Sequence, residues 1–127
     1  MNNLLSWKKI NTMKKIFTLL ALSLSFSMNA QVSINSTSPT GTYASAMGNG
    51  TTASGNESTA MGYDTTASGE ASTAMGYSTT ASAQSSTAMG RGTTASGTNS
   101  TAMGYGTTAS DYGSLVIGRY NSSGSSV

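Results

Sequence analysis

Few residues in this chain could carry out chemistry on a substrate. It contains no histidine and no cysteine, so the commonest general base and the thiolate nucleophile are both missing. Its four acids, Glu57, Asp64, Glu70 and Asp111, recur at no fixed spacing and form no carboxylate pair. Serines abound, yet none has a base to activate it. Met47, Met61, Met75, Met89 and Met103 fall at a regular spacing, but thioethers without His or Cys companions point to packing rather than to a metal or redox centre. The glycine- and aspartate-rich nonapeptides of calcium-binding rolls are also missing. These residues predict no catalysis, no cofactor and no metal. Binding chemistry remains: Tyr63, Tyr77, Arg91, Tyr105 and Arg119 each directly follow the glycine that closes a Met-Gly or Ile-Gly pair. Such side chains offer large contact area with hydrogen-bonding tips. The competing explanation is that each ring covers a turn and packs on the next, with Arg91 adding a cation–π contact.

Charge removes another function class. Four of the six basic residues are Lys8, Lys9, Lys14 and Lys15. Beyond them, two arginines face four acids, a net charge of −2. No basic patch is left to neutralise phosphates, which excludes nucleic acid as a partner. The lysines belong instead to an export signal. MKKIFTLLALSLSFSMNAQ, from Met13, has a basic start, an apolar run from Ile16 to Phe26, and a small residue, Ala30, before Gln31. That run is too short to span a bilayer as a helix. A buried amphipathic helix would be the bland alternative, but the basic flank and terminal position favour a signal peptide. Met13 opens a complete signal, so the true start is placed there rather than at Met1. Cleavage after Ala30 leaves 97 residues, exported, free of disulfides and with no membrane insertion of their own.

The elements that must position the Tyr/Arg series come from an internal repeat. The five methionines fall fourteen residues apart, Ile117 continues them, and Gly48, Gly62, Gly76, Gly90, Gly104 and Gly118 follow one residue later. Each fourteen divides into sevens of the types TAMGxxx and TASGxxS. Alanine therefore recurs every seven residues from Ala46 to Ala109, and Val116 extends the column. Pro39 and Gly41 fit an imperfect first unit, while SLVIGRYN at the other end keeps the frame with bulkier residues, as capping units do.

A period of seven invites a coiled coil, which needs Leu or Ile at two core positions and charged flanks. One glycine per heptad costs a helix about 1 kcal/mol relative to alanine, and threonine is a poor helix former. Strands fit better. Alternation puts Ser58, Ala60 and Gly62 on one face and Thr59 with Met61 on the other; further along, Ala67 and Gly69 oppose Thr66 and Ser68. One fourteen-residue coil then stacks on the next at about 4.8 Å. The expected interior holds only Ser, Ala and Gly, too little burial to offset the cost of ordering the chain. The Met face is therefore expected to pack against other copies: Met47, Met61, Met75, Met89, Met103 and Ile117 form the candidate interface.

The units SAMGNGTTASGNES, TAMGYDTTASGEAS, TAMGYSTTASAQSS, TAMGRGTTASGTNS and TAMGYGTTASDYGS resemble the head repeats of YadA-like trimeric autotransporter adhesins. The resemblance covers about residues 36 to 121. It implies an all-β, left-handed parallel β-roll of fourteen-residue coils, assembled as a homotrimer. It further implies a rigid head at the cell surface, associated with the outer membrane or secreted, that attaches to extracellular matrix protein or surface glycan. The expected organisation is a signal peptide over 1–30, a lead-in over 31–35, head repeats over 36–121 and a Ser/Gly-rich end over 122–127. The family's coiled-coil stalk and barrel anchor have no counterpart in SSGSSV, so the chain reads as a fragment or as a head fused to other modules.

Two other readings share the same repeat. A passive spacer within a larger secreted fibre needs no binding column. The pairs Thr52/Ser54, Thr66/Ser68, Thr80/Ser82, Thr94/Ser96 and Thr108/Ser110 would form a two-wide hydroxyl ladder, similar to the Thr-x-Thr arrays of ice-binding solenoids.

Overall fold

Each seven-residue half of the repeat folds as one strand and one turn, and two halves close a coil. A computed structural model of the protein describes residues 2–25, 33–34 and 36–123. Helix α1 (Asn2–Ser25) precedes the repeats. Trp7, Ile10, Met13 and Ile16 on it are exposed, and no helix among the described residues is long and apolar enough to cross a membrane. Phe26, the cleavage position after Ala30 and most of the Ser/Gly-rich end lie outside the described residues.

The repeats build two parallel sheets. The wide sheet orders β1 (Ser33–Ile34), β3 (Ser45–Asn49), β5 (Thr59–Tyr63), β7 (Thr73–Tyr77), β9 (Thr87–Arg91), β11 (Thr101–Tyr105) and β13 (Leu115–Arg119) side by side. The narrow sheet holds β2 (Ser38–Pro39), β4 (Thr52–Ala53), β6 (Thr66–Ala67), β8 (Thr80–Ala81), β10 (Thr94–Ala95) and β12 (Thr108–Ala109). Register is one coil per fourteen residues: Met61 pairs with Met75, Met103 with Ile117, Ala102 with Val116 and Pro39 with Ala53. The repeats thus form an all-β parallel solenoid, with Pro39 seated in an alanine slot as the frame requires.

The core lies between the sheets and is thin. The alanines from Ala46 to Ala109 in the seven-residue series are completely buried, as are Ala44 and the serines Ser58, Ser72, Ser86 and Ser100. Val116 closes the column at 7 % exposure. Leu115 and Ile117 do not cover the end; they are 65 % and 58 % exposed and extend the outer face of the wide sheet. Two glycine columns set the thickness. Gly76, at φ 129°, takes a conformation a side chain would strain, and a Cβ there would strike the carbonyl oxygen of Gly90. Gly55 keeps ordinary φ but equally leaves no room, because its Cβ would meet the carbonyl oxygen of Gly69.

One expectation about the interior needs correction. Ser, Ala and Gly do not fill it alone: Thr51, Thr65, Thr79, Thr93 and Thr107 are completely buried and are the largest side chains inside. Alternation reaches one residue further back than the Ala–Gly pair suggested, so Thr65, Ala67 and Gly69 share the inward face while Thr66 and Ser68 point out. The Oγ1 atoms of all five threonines lack a hydrogen-bond partner among the described residues. By contrast the Ser58 and Ser86 hydroxyls donate to the carbonyls of Gly55 and Ala83 at 2.7 Å.

Candidate functional site

The wide strands end where the Tyr/Arg series begins. Tyr63, Tyr77, Arg91, Tyr105 and Arg119 are the last residues of β5, β7, β9, β11 and β13, and the sheet pairs each with its neighbour in register. The residue after each turns the chain with positive φ: Asp64 (53°), Ser78 (51°), Gly92 (62°), Gly106 (60°) and Tyr120 (55°). Its amide donates to a carbonyl of the preceding coil, Asp64 to Asn49 at 2.9 Å and Gly92 to Tyr77 at 2.8 Å. These main-chain bonds hold successive side chains one coil apart.

The result is a ladder. The rings of Tyr63 and Tyr77 stack with centroids 5.1 Å apart and planes 8° from parallel, close to the spacing of neighbouring strands. The Arg91 guanidinium lies 5.3 Å from the Tyr77 ring centroid and 5.5 Å from that of Tyr105. Arg119 lies 5.6 Å from Tyr105 and 5.1 Å from Tyr120. All five predicted residues therefore join one column, packed ring on ring and ring on cation, and all five remain exposed. The packing explanation for the column thus describes its geometry, and exposure keeps its edge open to a partner.

Tyr120 belongs to the site and was not anticipated from the sequence. It stands edge-on to Tyr105, centroids 5.1 Å apart and planes at 86°, over Gly106, where a Cβ would lie 2.9 Å from its Cδ1. A hydrogen bond with Tyr120 raises the Tyr105 phenol above its ordinary pKa, and Arg91 works in the opposite direction. The register offered the clue: position 120 falls in the column of Asp64, Ser78, Gly92 and Gly106, and only there does it carry a ring. A shallow depression of about 210 Å³ runs between Tyr77 and Tyr120 across Gly92 and Gly106.

The other edge differs. Asn56, Glu70, Gln84 and Tyr112 are exposed and Thr98 half-buried. Side chains touch there by isolated polar contacts, Gln84 Nε2 to Glu70 Oε2 at 3.4 Å and Asn99 Nδ2 to the Tyr112 hydroxyl at 3.2 Å. The methionines Met47, Met61, Met75, Met89 and Met103 are half-buried on the outer face of the wide sheet, beside Ile117. Among the described residues no three His, Cys, Asp or Glu side chains gather where they could hold a metal ion.

Residues 40–65, 67–93 and 95–121 each match the family model described as YadA head domain repeat (two copies). The chain belongs to the YadA head repeat family. Each matched segment spans two coils of the solenoid, so the YadA head frame and the structural coil coincide along nearly the whole stack. No curated protein matches the chain.

Proposed function

We propose that this chain is the exported head of a surface adhesin, that it works as a homotrimer, and that it attaches by non-catalytic binding through the Tyr63–Arg119 edge. The observation that carries the reading is the continuity of the exposed ladder in a chain whose coils are YadA head repeats. Stacking fixes each ring and guanidinium before any ligand arrives, which lowers the entropy cost of binding. Residues 1–30 act as the export signal. The Met47–Ile117 face meets two further copies, because methionines left half-buried in one chain bury roughly 1.5–3 kcal/mol each when covered. The partners are an extracellular matrix protein or a surface glycan.

Adherence of the purified protein to matrix proteins and arrayed glycans tests the reading. A variant carrying Tyr63→Ser, Tyr77→Ser and Tyr105→Ser should lose most of its binding while keeping its β spectrum. Undiminished binding by that variant would move the contact surface elsewhere.

The narrow sheet supports one second reading. Thr52, Thr66, Thr80, Thr94 and Thr108 pair in strict register, with exposed Ser54, Ser68, Ser82, Ser96 and Ser110 beside them. Such hydroxyl rows could order water on an ice surface. Absence of any effect on ice recrystallisation at micromolar protein would remove this reading.

A further inference from the structure

The ladder edge is divided by charge. Arg91 and Arg119, the only basic residues beyond Lys15, both stand on it. Glu57, Glu70 and Asp111 occupy the opposite turns, and the one acid on the ladder side, Asp64, lies two coils before Arg91, with its Oδ2 accepting from Ser78 Oγ at 3.5 Å. Neither guanidinium has a carboxylate partner among the described residues; both lie over tyrosine rings instead. From Ser78 to Tyr120 this edge therefore presents cations without anions, over the depression described above.

The stacking also decides what kind of anion fits. Tyr77 is enclosed between Tyr63 and Arg91, and Tyr105 between Arg91 and Arg119. Ring faces that are already covered cannot stack on a nucleobase or on a partner's aromatic side chain. Ring edges, phenol hydroxyls and guanidinium N–H groups are what remain outward. The two guanidiniums are two coils apart, about 10 Å at the strand spacing. A ligand that satisfies them carries repeated negative charges at a comparable interval and many hydroxyl groups between.

We propose that the Tyr77–Tyr120 half of the ladder binds a linear acidic polysaccharide. Its carboxylate or sulfate groups meet Arg91 and Arg119 through charge-assisted hydrogen bonds, and its hydroxyls meet the phenols of Tyr105, between them, and of Tyr77 and Tyr120, beside them. This assignment rests on the adhesin reading and narrows it to one ligand chemistry.

The test uses the intact protein on surfaces coated with heparin, hyaluronan or neutral dextran, with soluble polyglutamate as competitor. The proposal predicts retention on heparin or hyaluronan but not on dextran, weakened by roughly 0.5 M salt because exposed charges are then screened. The Arg91→Gln/Arg119→Gln variant should lose about tenfold or more in affinity, as expected for two lost charge-assisted contacts. Glu70→Gln on the other edge should change nothing. Unaltered retention of the double arginine variant overturns the proposal, as does equal binding to dextran or full displacement by polyglutamate at matched charge. Adherence to a matrix protein without binding to any acidic polysaccharide overturns this proposal and leaves the adhesin reading standing. Failure to adhere to any surface overturns the adhesin reading itself.

Discussion

The wide and narrow sheets grow from two versions of one seven-residue phrase, Thr-Ala-Met-Gly and Thr-Ala-Ser-Gly, yet they carry different duties. In the wide sheet five-residue strands place methionine outward in mid-strand and finish on the tyrosine–arginine ladder. In the narrow sheet two-residue strands place threonine outward and alanine inward, flanked by a buried threonine before and an exposed serine after. The wide sheet thus carries both an apolar stripe on its outer face and the stacked tyrosine–arginine edge on which the proposed binding rests. The narrow sheet carries neither; its outer face is a row of hydroxyls. One residue, Met against Ser, separates a face that carries an apolar stripe from a face that carries hydroxyls.

The largest test of that contrast lies in the two glycine columns. The wide column is glycine in every coil from Gly48 to Gly118, whereas the narrow column accepts Ala83 and Asp111. At Ala83 the coil adjusts: Ser82 donates to Ala95 at 3.0 Å, while in the neighbouring coil Ser68 and Gly69 both donate to Ala81, at 2.9 and 3.3 Å. Gly76→Ala combines a backbone clash with positive φ and should cost more than about 3 kcal/mol, seen as loss of the cooperative thermal transition. Gly97→Ala keeps an ordinary φ, but its Cβ would strike the Asp111 carbonyl oxygen, so the backbone must shift; it should cost about 2 kcal/mol, less than Gly76→Ala. Equal effects of the two substitutions would erase the distinction between the sheets.

Covering of the Met face comes next. Met61→Ser, Met75→Ser and Met89→Ser together should shift assembly towards single chains, at roughly 1.5–3 kcal/mol per methionine. Thr66→Ser, Thr80→Ser and Thr94→Ser on the narrow face should leave assembly unchanged, and light scattering compares the two variants directly. A smaller effect, of opposite sign, is expected inside the narrow half. Thr79→Val replaces an unpartnered buried hydroxyl with a methyl of the same shape and should stabilise by about 1 kcal/mol, raising Tm by several degrees. The smallest belongs to the second turn, where Ala71 sits at φ 53°. Ala71→Gly relieves the left-handed strain and should add about 0.5–1 kcal/mol. Denaturant midpoints resolve both.

The regular half of this molecule was legible because its rules are local. Alanine every seven residues and glycine one place after methionine already dictate alternation, coil length and register, and the structure places Met61 beside Met75 accordingly. The ladder was legible as a column, because stacking copies any fourteen-residue spacing into space. Two features escaped. Thr65 and its equivalents fall outside the expected interior of Ser, Ala and Gly, because a threonine hydroxyl is not expected in a core without a partner. Tyr120 escaped because its contact with Tyr105 depends on the room left by Gly106, which is set by turn geometry rather than by the spacing of residue types. Neither edge names its ligand through periodicity; charge and the covered ring faces carry that inference.

Sedimentation of residues 31–127 tests most directly the proposal that the wide sheet is covered by further copies of the chain. A folded species of three chains, converted towards monomer by the three Met→Ser substitutions and not by the three Thr→Ser substitutions, is the predicted result. A folded monomer at every concentration would contradict it.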